Sequence, residues 1–244
     1  MIKVGVFGYK GRMGATVCDA VRADPELDLV ACVDIEESAD EMVAGGAEVA
    51  VDFTAPDAVK DNIRFCLDNG IHVVVGTTGL TSADHAEIGT WQSASNANVF
   101  IAPNFAVGAV LMMDFARRAA PHFATAEIIE RHHERKLDAP SGTALRTAGL
   151  MNDARAQPWS LPEPGSESLA GSRGGDVDGV RVHSLRVPGS VAHQEVILGA
   201  PGETLTIRHD SLDRASFMPG VLLAIKKVAE RNGVTVGLEN LLDY

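Results

Sequence analysis

The residues best equipped for chemistry lie in one short run, 130–144, which reads Glu-Arg-His-His-Glu-Arg-Lys-Leu-Asp-Ala-Pro-Ser-Gly-Thr-Ala. An imidazole titrates near neutrality, so His132 or His133 can deliver a proton at physiological pH. Lys136 can hold a carboxylate or serve as a second acid. Ser141, Gly142 and Thr143 combine a helix N-cap residue, backbone N–H groups and a hydroxyl, a set that suits an anionic oxygen. Together they describe a place where a proton moves beside an anion. A polar surface turn that happens to carry His and Lys is the competing reading.

Those groups need a scaffold, and the N-terminus announces one. Residues 2–8 form an apolar strand ending in glycine, followed by Gly8-Tyr9-Lys10-Gly11-Arg12-Met13-Gly14 and a helical pattern over 15–21. Strand, glycine turn and helix are the parts of a dinucleotide-binding βαβ unit. In that reading Gly8 makes the tight turn, Gly11 lets the backbone approach a pyrophosphate, and Gly14 lets the helix pack on the strand. The next apolar run, 27–33, ends in Asp34, where a carboxylate can accept from an adenine-ribose hydroxyl. The spacing is Gly-x-x-Gly-x-x-Gly rather than the commoner Gly-x-Gly-x-x-Gly.

With both motifs in place, the chain resembles the 4-hydroxy-tetrahydrodipicolinate (dihydrodipicolinate) reductase family of the bacterial lysine and diaminopimelate pathway. The resemblance is carried by Gly8–Gly14, Gly76-Thr77-Thr78-Gly79, Ala102-Pro103-Asn104-Phe105, His132-His133 with Lys136, and Pro140-Ser141-Gly142-Thr143-Ala144. His193-Gln194-Glu195 and Arg208-His209-Asp210-Ser211 extend it, so matches run over nearly the whole chain. The resemblance implies NAD(P)H-dependent reduction of a cyclic imine bearing two carboxylates, in a homotetramer. It makes His132 the acid, with Lys136 supplying or relaying a proton and neutralising charge on the ring nitrogen. It places His133 on one substrate carboxylate and Gly142 and Thr143 on the other, with Ser141 beside them. The cofactor would be held by Gly8, Lys10, Gly11, Arg12, Met13, Gly14, Asp34, Gly76, Thr77, Thr78, Ala102, Pro103, Asn104 and Phe105. No metal is expected.

Cofactor preference follows from charge. Asp34, Glu36 and Glu37 put carboxylates where a 2′-phosphate would sit, which favours NADH, whereas Lys10 and Arg12 could reach a phosphate from the other side. Dual use of NADH and NADPH, with NADH at least as good, is the expectation.

Composition narrows the alternatives. The chain has 244 residues and a net charge of −12, which argues against a nucleic-acid partner. An anionic substrate then needs a local cationic pocket, which Arg131, Arg135 and Lys136 provide. Cys18, Cys32 and Cys66 are odd in number and lack metal spacing, so reduced, buried thiols of a cytoplasmic protein are expected. The first residues run straight into a strand, so no secretory leader is expected, and no apolar run is long enough for a membrane span.

Apolar periodicity organises the rest. Strands at 48–53, 72–75 and 99–102 alternate with helices beginning near 54 and at 81, which predicts a mostly parallel, Rossmann-type sheet with helices on both faces. A helix over 105–121 leads to a second, inserted α+β domain. There, 125–131 is a strand, 142–154 a helix, 156–179 a long loop or lid, and 180–187, 190–199 and 203–209 strands in succession, hence a mainly antiparallel sheet. Helical spacing over 216–229 and a strand at 234–236 return to the first domain. The expected division is 1–105 with 216–244 for the dinucleotide and 106–215 for substrate and oligomerisation. Closure of the two domains is expected to accompany binding.

Several neighbours are discounted. Glu130 is read as pointing away from the site, solvated or salt-bridged, and no role is assigned to Arg131. Asp138 shapes the turn before Pro140. His193 and His209 are structural or interface residues, and Met112-Met113 is core packing. Another Rossmann oxidoreductase would not need the His-His-x-x-Lys run, and a dinucleotide-sensing module would need no proton donor.

Overall fold

The computed structural model describes residues 1–160 and 167–242. In chain order the elements are β1 (Ile2–Phe7), α1 (Arg12–Ala23), β2 (Leu27–Val33), α2 (Asp40–Ala44), β3 (Val49–Asp52), α3 (Val59–Asp68), β4 (His72–Val75), α4 (Ser82–Gln92), β5 (Val99–Ile101) and α5 (Val107–Ala119). They continue with β6 (Thr125–His132), α6 (Gly142–Asp153), β7 (Gly175–Val177), β8 (Val180–Arg186), β9 (Ala192–Ala200), β10 (Glu203–Ser211), α7 (Met218–Lys227) and β11 (Val234–Val236). The chain divides into two compact units, Met1–Val107 with Arg214–Tyr244, and Gly108–Asp213. No helix among the described residues is long and apolar enough to cross a membrane.

The first unit is built on a six-stranded sheet in the order β11-β5-β4-β3-β1-β2, every pairing parallel. Its inner strands read as continuous apolar runs because both faces are covered, and all four residues of β3 are buried. Phe7, Val33, Met42, Ile63, Val73, Val75, Ile88 and Ile101 form one core between the sheet and its helices. Helix α4 starts as expected, with Thr81 and Asp84 capping each other's backbone. Helix α3 begins later than the sequence implied, at Val59. Residue Thr54 is instead drawn to Asp52, whose Oδ1 accepts from its backbone N–H at 3.1 Å and its hydroxyl at 2.8 Å.

The C-terminal segment is tied back by one buried side chain. Asn98 donates from Nδ2 to the carbonyls of Val228 and Ala229, both at 3.1 Å, and its Oδ1 accepts from Gly233 N–H at 3.1 Å. Replacing Asn98 with alanine strands these backbone groups and is expected to cost about 1–3 kcal/mol, readable as a lowered melting temperature.

The second unit holds a five-stranded sheet in the order β10-β9-β6-β8-β7. Consecutive strands were expected to pair antiparallel, but β8 and β9 do not pair. Strand β6 lies between them, antiparallel to β9 and parallel to β8. The cause is α6, whose buried Ala144, Thr147, Ala148 and Met151 must cover the sheet. A helix laid over a sheet between two of its strands is a crossover, and crossovers make parallel pairs. The face of β6 carrying Ala126 and Ile128 packs with Val182, Val196, Leu198 and these α6 residues.

The expected 156–179 loop is also more structured than its composition implied, though 161–166 lies outside the described residues. Residues 175–177 form β7, joined to β8 by Asp178 and Gly179, both at positive φ. That is the turn chemistry of a tight hairpin. Trp159 is buried, donates from Nε1 to Asn152 Oδ1 at 2.6 Å, and lies under the Arg155 guanidinium at 3.7 Å.

Candidate active site

In the first unit the glycine loop has the shape a pyrophosphate requires. Gly8 sits at φ +77°, and an added Cβ at Gly14 would lie 2.1 Å from the Gly8 carbonyl oxygen. Strand and helix therefore meet backbone to backbone. Gly11 occupies the N-cap of α1 without a side-chain cap, and the first turn carries no acidic residue. The first N–H groups of a helix have no intrahelical partner, and the aligned dipole there favours an anion. A cavity of about 550 Å³ opens beside this loop, lined by Gly8, Gly11, Asp34, Glu37, Phe53 and Thr54 among others.

At the end of β2, Asp34 accepts from the backbone N–H groups of Ile35 and Lys10, each at 2.9 Å. These two bonds hold its carboxyl below the usual carboxylate range, and a carboxylate keeps further lone pairs for a ligand hydroxyl. Lys10 Nζ lies 2.7 Å from Glu37 and 3.7 Å from Glu36. The bond to Glu37 is the main reason the Lys10 ammonium titrates above its ordinary value. Arg12 is exposed and Met13 half-buried on the first turn of α1.

Gly76, Thr77 and Thr78 follow β4, and Ala102 to Phe105 follow β5, at the carboxyl ends of parallel strands where ligands of such sheets bind. The Thr77 side chain is buried and already engaged, donating to Asp52 Oδ1 at 2.6 Å and accepting from Thr54 N–H at 2.8 Å. Asn104 Oδ1 accepts from Ala106 N–H at 2.8 Å, and the Phe105 ring lies 5.8 Å from that of Phe53.

In the second unit the candidate acid sits at the last residue of β6. His132 Nδ1 is 2.5 Å from Oε2 of Glu130, a carboxylate fully withdrawn from solvent. Residues two apart on a strand share a face, so Glu130 points toward His132. The expectation that it pointed away is corrected, while of the two states expected, solvated or salt-bridged, the salt-bridged one is found. Its other partners include Arg186, the backbone of Ser141 and the side chain of Ser184. Arg186 Nη1 donates to Oε2 at 2.9 Å and Nη2 to Oε1 at 3.0 Å, while Ser141 N–H donates to Oε1 at 3.2 Å. Burial by itself would push the Glu130 carboxyl up, but Arg186, Ser184 and His132 outweigh it and hold Glu130 below the usual range. For His132, burial is the largest influence and lowers its pKa. Glu130 works against that, while Lys136 and Arg186 add to it.

The turn after β6 carries Lys136, whose Nζ donates to both oxygens of Asp138 at 2.8 and 2.9 Å. Asp138 thus anchors the lysine as well as shaping the turn. The Ala139–Pro140 bond is cis. Ser141 is buried and caps α6, its Oγ accepting from Ala144 N–H at 3.2 Å. Gly142 and Thr143 form the first turn of α6, which carries no acidic residue. Among the described residues His133 Nδ1 is buried without a hydrogen-bond partner.

His132, Ser141 and the backbone of Lys136 therefore converge on two residues that sequence reasoning passed over. Arg186 carries no local signal, because its place follows from β8 lying beside β6 with Arg186 opposite His132. Glu130 had one, its two-residue spacing from His132. On the opposite face of the sheet His193 Nδ1 binds Asp210 at 2.6 Å, and Arg131 lines a small hollow with Ile129, Leu185, Glu195 and Arg208.

Comparison with known proteins agrees with both halves. The family models for the N-terminus and the C-terminus of dihydrodipicolinate reductase match residues 2–105 and 108–242. The 4-hydroxy-tetrahydrodipicolinate reductase of Nocardia farcinica is 55% identical, over 99% of each chain. That of Mycolicibacterium vanbaalenii is 53% identical, again over 99% of each. Among solved structures, a dipicolinate-bound dihydrodipicolinate reductase from Paenisporosarcina sp. TG-14 superimposes with a TM-score of 0.89 at 38% identity, covering 99% of this chain and 100% of that one. An amine dehydrogenase from Mycobacterium smegmatis, at TM-score 0.67 and 13% identity, shares the fold alone. By the match of both family models and by identity along its whole length, the chain belongs to the dihydrodipicolinate reductase family.

Proposed function

We propose that this protein reduces 4-hydroxy-tetrahydrodipicolinate to tetrahydrodipicolinate in lysine and diaminopimelate biosynthesis, with His132 as the proton donor. The observation that carries the assignment of the acid is the His132 imidazole, largely withdrawn from water and bound through Nδ1 to a buried carboxylate. Nδ1 being engaged, Nε2 is the atom from which a proton leaves. The Nocardia and Mycolicibacterium relatives are named for this reaction, and the Paenisporosarcina reductase is a dipicolinate-bound structure.

A reduced nicotinamide, when bound, supplies the hydride, and the uncapped N-terminus of α1 with Gly8, Gly11, Gly14 and Asp34 has the form to hold its dinucleotide. The chain's residues do the rest. Gly142 and Thr143 at the start of α6 receive one substrate carboxylate and His133 the other, fixing the ring. Orientation of this kind contributes several kcal/mol to catalysis. Nε2 of His132 delivers the proton to the carbon beside the one reduced, and Lys136 neutralises charge building on the ring nitrogen. In the free protein burial lowers the pKa of the imidazole and so favours its neutral form. A substrate with two negative charges reverses that bias, since a nearby anion favours the protonated ring.

For the cofactor we propose dual use with NADH at least as good. Lys10, whose backbone N–H binds Asp34, has its ammonium held by Glu37, and Asp34, Glu36 and Glu37 together oppose a phosphate. Glu37→Gln is expected to loosen Lys10, leaving only the longer contact to Glu36, and to shift the NADPH-to-NADH ratio of kcat/KM toward NADPH by a few-fold. We further propose a homotetramer assembled through the second unit, whose edge strand β10 spans Glu203–Ser211 and is exposed over most of its length. Sedimentation equilibrium tests it, a monomer being the contrary result.

The direct test of the reaction supplies the condensation product of pyruvate and aspartate semialdehyde and follows oxidation of NADH and NADPH. Turnover is the expected result. Cofactor binding without oxidation would remove the assignment.

A further inference from the structure

We infer that the buried Glu130–Arg186 pair is a positioning device that fixes the tautomer and proton affinity of His132 and ties the Lys136 turn to the same strand. The inference rests on the proposed role of His132 and extends it to two residues that do not touch the substrate in that proposal.

Both oxygens of Glu130 are fully engaged. Oε2 faces His132 Nδ1 at 2.5 Å and Arg186 Nη1 at 2.9 Å, and Oε1 faces Arg186 Nη2 at 3.0 Å and Ser141 N–H at 3.2 Å. Arg186 spends its remaining donors on carbonyls: Nε on Lys136 at 3.3 Å, Nη2 on Asp138, and Nη1 on Leu185 at 2.8 Å. Two side chains on two paired strands thus meet the imidazole, the turn that carries the lysine, and the residue that caps α6.

Such a pair is a poor device for holding a fold. Withdrawing two charges from water costs about what their attraction returns, and well-packed hydrocarbon in the same volume does as well or better. What hydrocarbon cannot do is dictate which imidazole nitrogen carries the proton. Glu130 can only accept, so Nδ1 must donate, and Nε2 is left to load and release the exchangeable proton. The charges facing the ring are Glu130 from its own strand, Arg186 from β8, and Lys136 from the turn, the last paired with Asp138. Of these, only Glu130 draws the proton affinity of His132 upward.

Glu130→Gln keeps the shape and one acceptor but removes the charge. Followed by ¹⁵N NMR, the His132 titration is expected to move down by about one pH unit, a tenfold change in proton affinity. The alkaline limb of kcat/KM should move with it, so that activity at neutral pH falls roughly tenfold while KM for NADH stays unchanged. Arg186→Lys keeps both charges yet cannot reach the carbonyls of Lys136 and Asp138 together. It is expected to leave the limb in place and lower kcat, and it keeps the test open if loss of the buried charge costs the fold. An unmoved His132 titration in Glu130→Gln, whatever its melting temperature, would overturn the inference, as would unchanged kcat in Arg186→Lys. The NMR titration needs no substrate. Absence of turnover in the unaltered protein would therefore strike the proposed reaction and leave this result standing on its own.

Discussion

His132→Asn is expected to lower kcat/KM by about 10²–10⁴-fold, the range a positioned general acid contributes, with the affinity for NADH unchanged. Asparagine is the informative replacement because its amide can still donate to Glu130, whereas alanine would leave a buried carboxylate short of a partner. The loss should appear in kcat rather than in KM, since the proton is delivered only on the way to the transition state. The unaltered protein should also show a characteristic pH dependence. Catalysis needs the protonated ring, so kcat/KM falls as pH rises through the free-protein pKa of His132, which burial places below the ordinary imidazole value. In the substrate complex two carboxylates oppose that shift, so the limb in kcat should lie at higher pH than the limb in kcat/KM. Coincident limbs, or full activity in the asparagine variant, would move the acid to Lys136 or to water.

Much of this site is legible along the chain because its parts are close in sequence. The run 130–144 contains the imidazoles, the lysine and the helix start, and the strand before it and the helix after it are readable from periodicity alone. The glycine loop is legible for the same reason, since strand, turn and helix are consecutive. Illegible were the features that depend on which strands lie side by side. Arg186 reaches Glu130 only because β8 runs parallel to β6, and that follows from the need to lay α6 over the sheet between them. The same crossover separates β8 from β9, which their succession in the chain had implied would pair. Glu130 is a different case. Its alternation with His132 was visible, but a carboxylate is usually solvated, and the cost of burying one hides the exception until its cation is found fifty-six residues on. Trp159 and β7 were missed because a Pro-, Gly- and Ser-rich composition describes the local chain and not what one aromatic ring can bury.

In the first unit the largest effect is expected from Gly14→Ala, a change of one methyl group. The added carbon would fall 2.1 Å from the Gly8 carbonyl oxygen, 2.6 Å from its carbon and 2.8 Å from the Tyr9 Cα. All three are backbone, so no side chain can swing aside, and α1 must lift from the loop by about an ångström or more. Overpacking of this kind costs about 1–3 kcal/mol of stability. The displaced helix start would also no longer meet the pyrophosphate, and a misplacement of about 1 Å costs on the order of 10²-fold. Gly11→Ala supplies the contrast. Gly11 has an extended backbone at φ −72° that any residue adopts, and its added carbon meets only the Gly8 oxygen, at 3.2 Å. Its stability should be nearly unchanged, so any loss of NADH affinity there reports the methyl group standing between backbone and phosphate. Thermal melts and NADH fluorescence titrations of the two variants separate the roles. Gly14 should lose both stability and affinity, and Gly11 affinity alone. Retained affinity in both variants would mean that the dinucleotide does not lie on this loop, however well the loop is shaped for it.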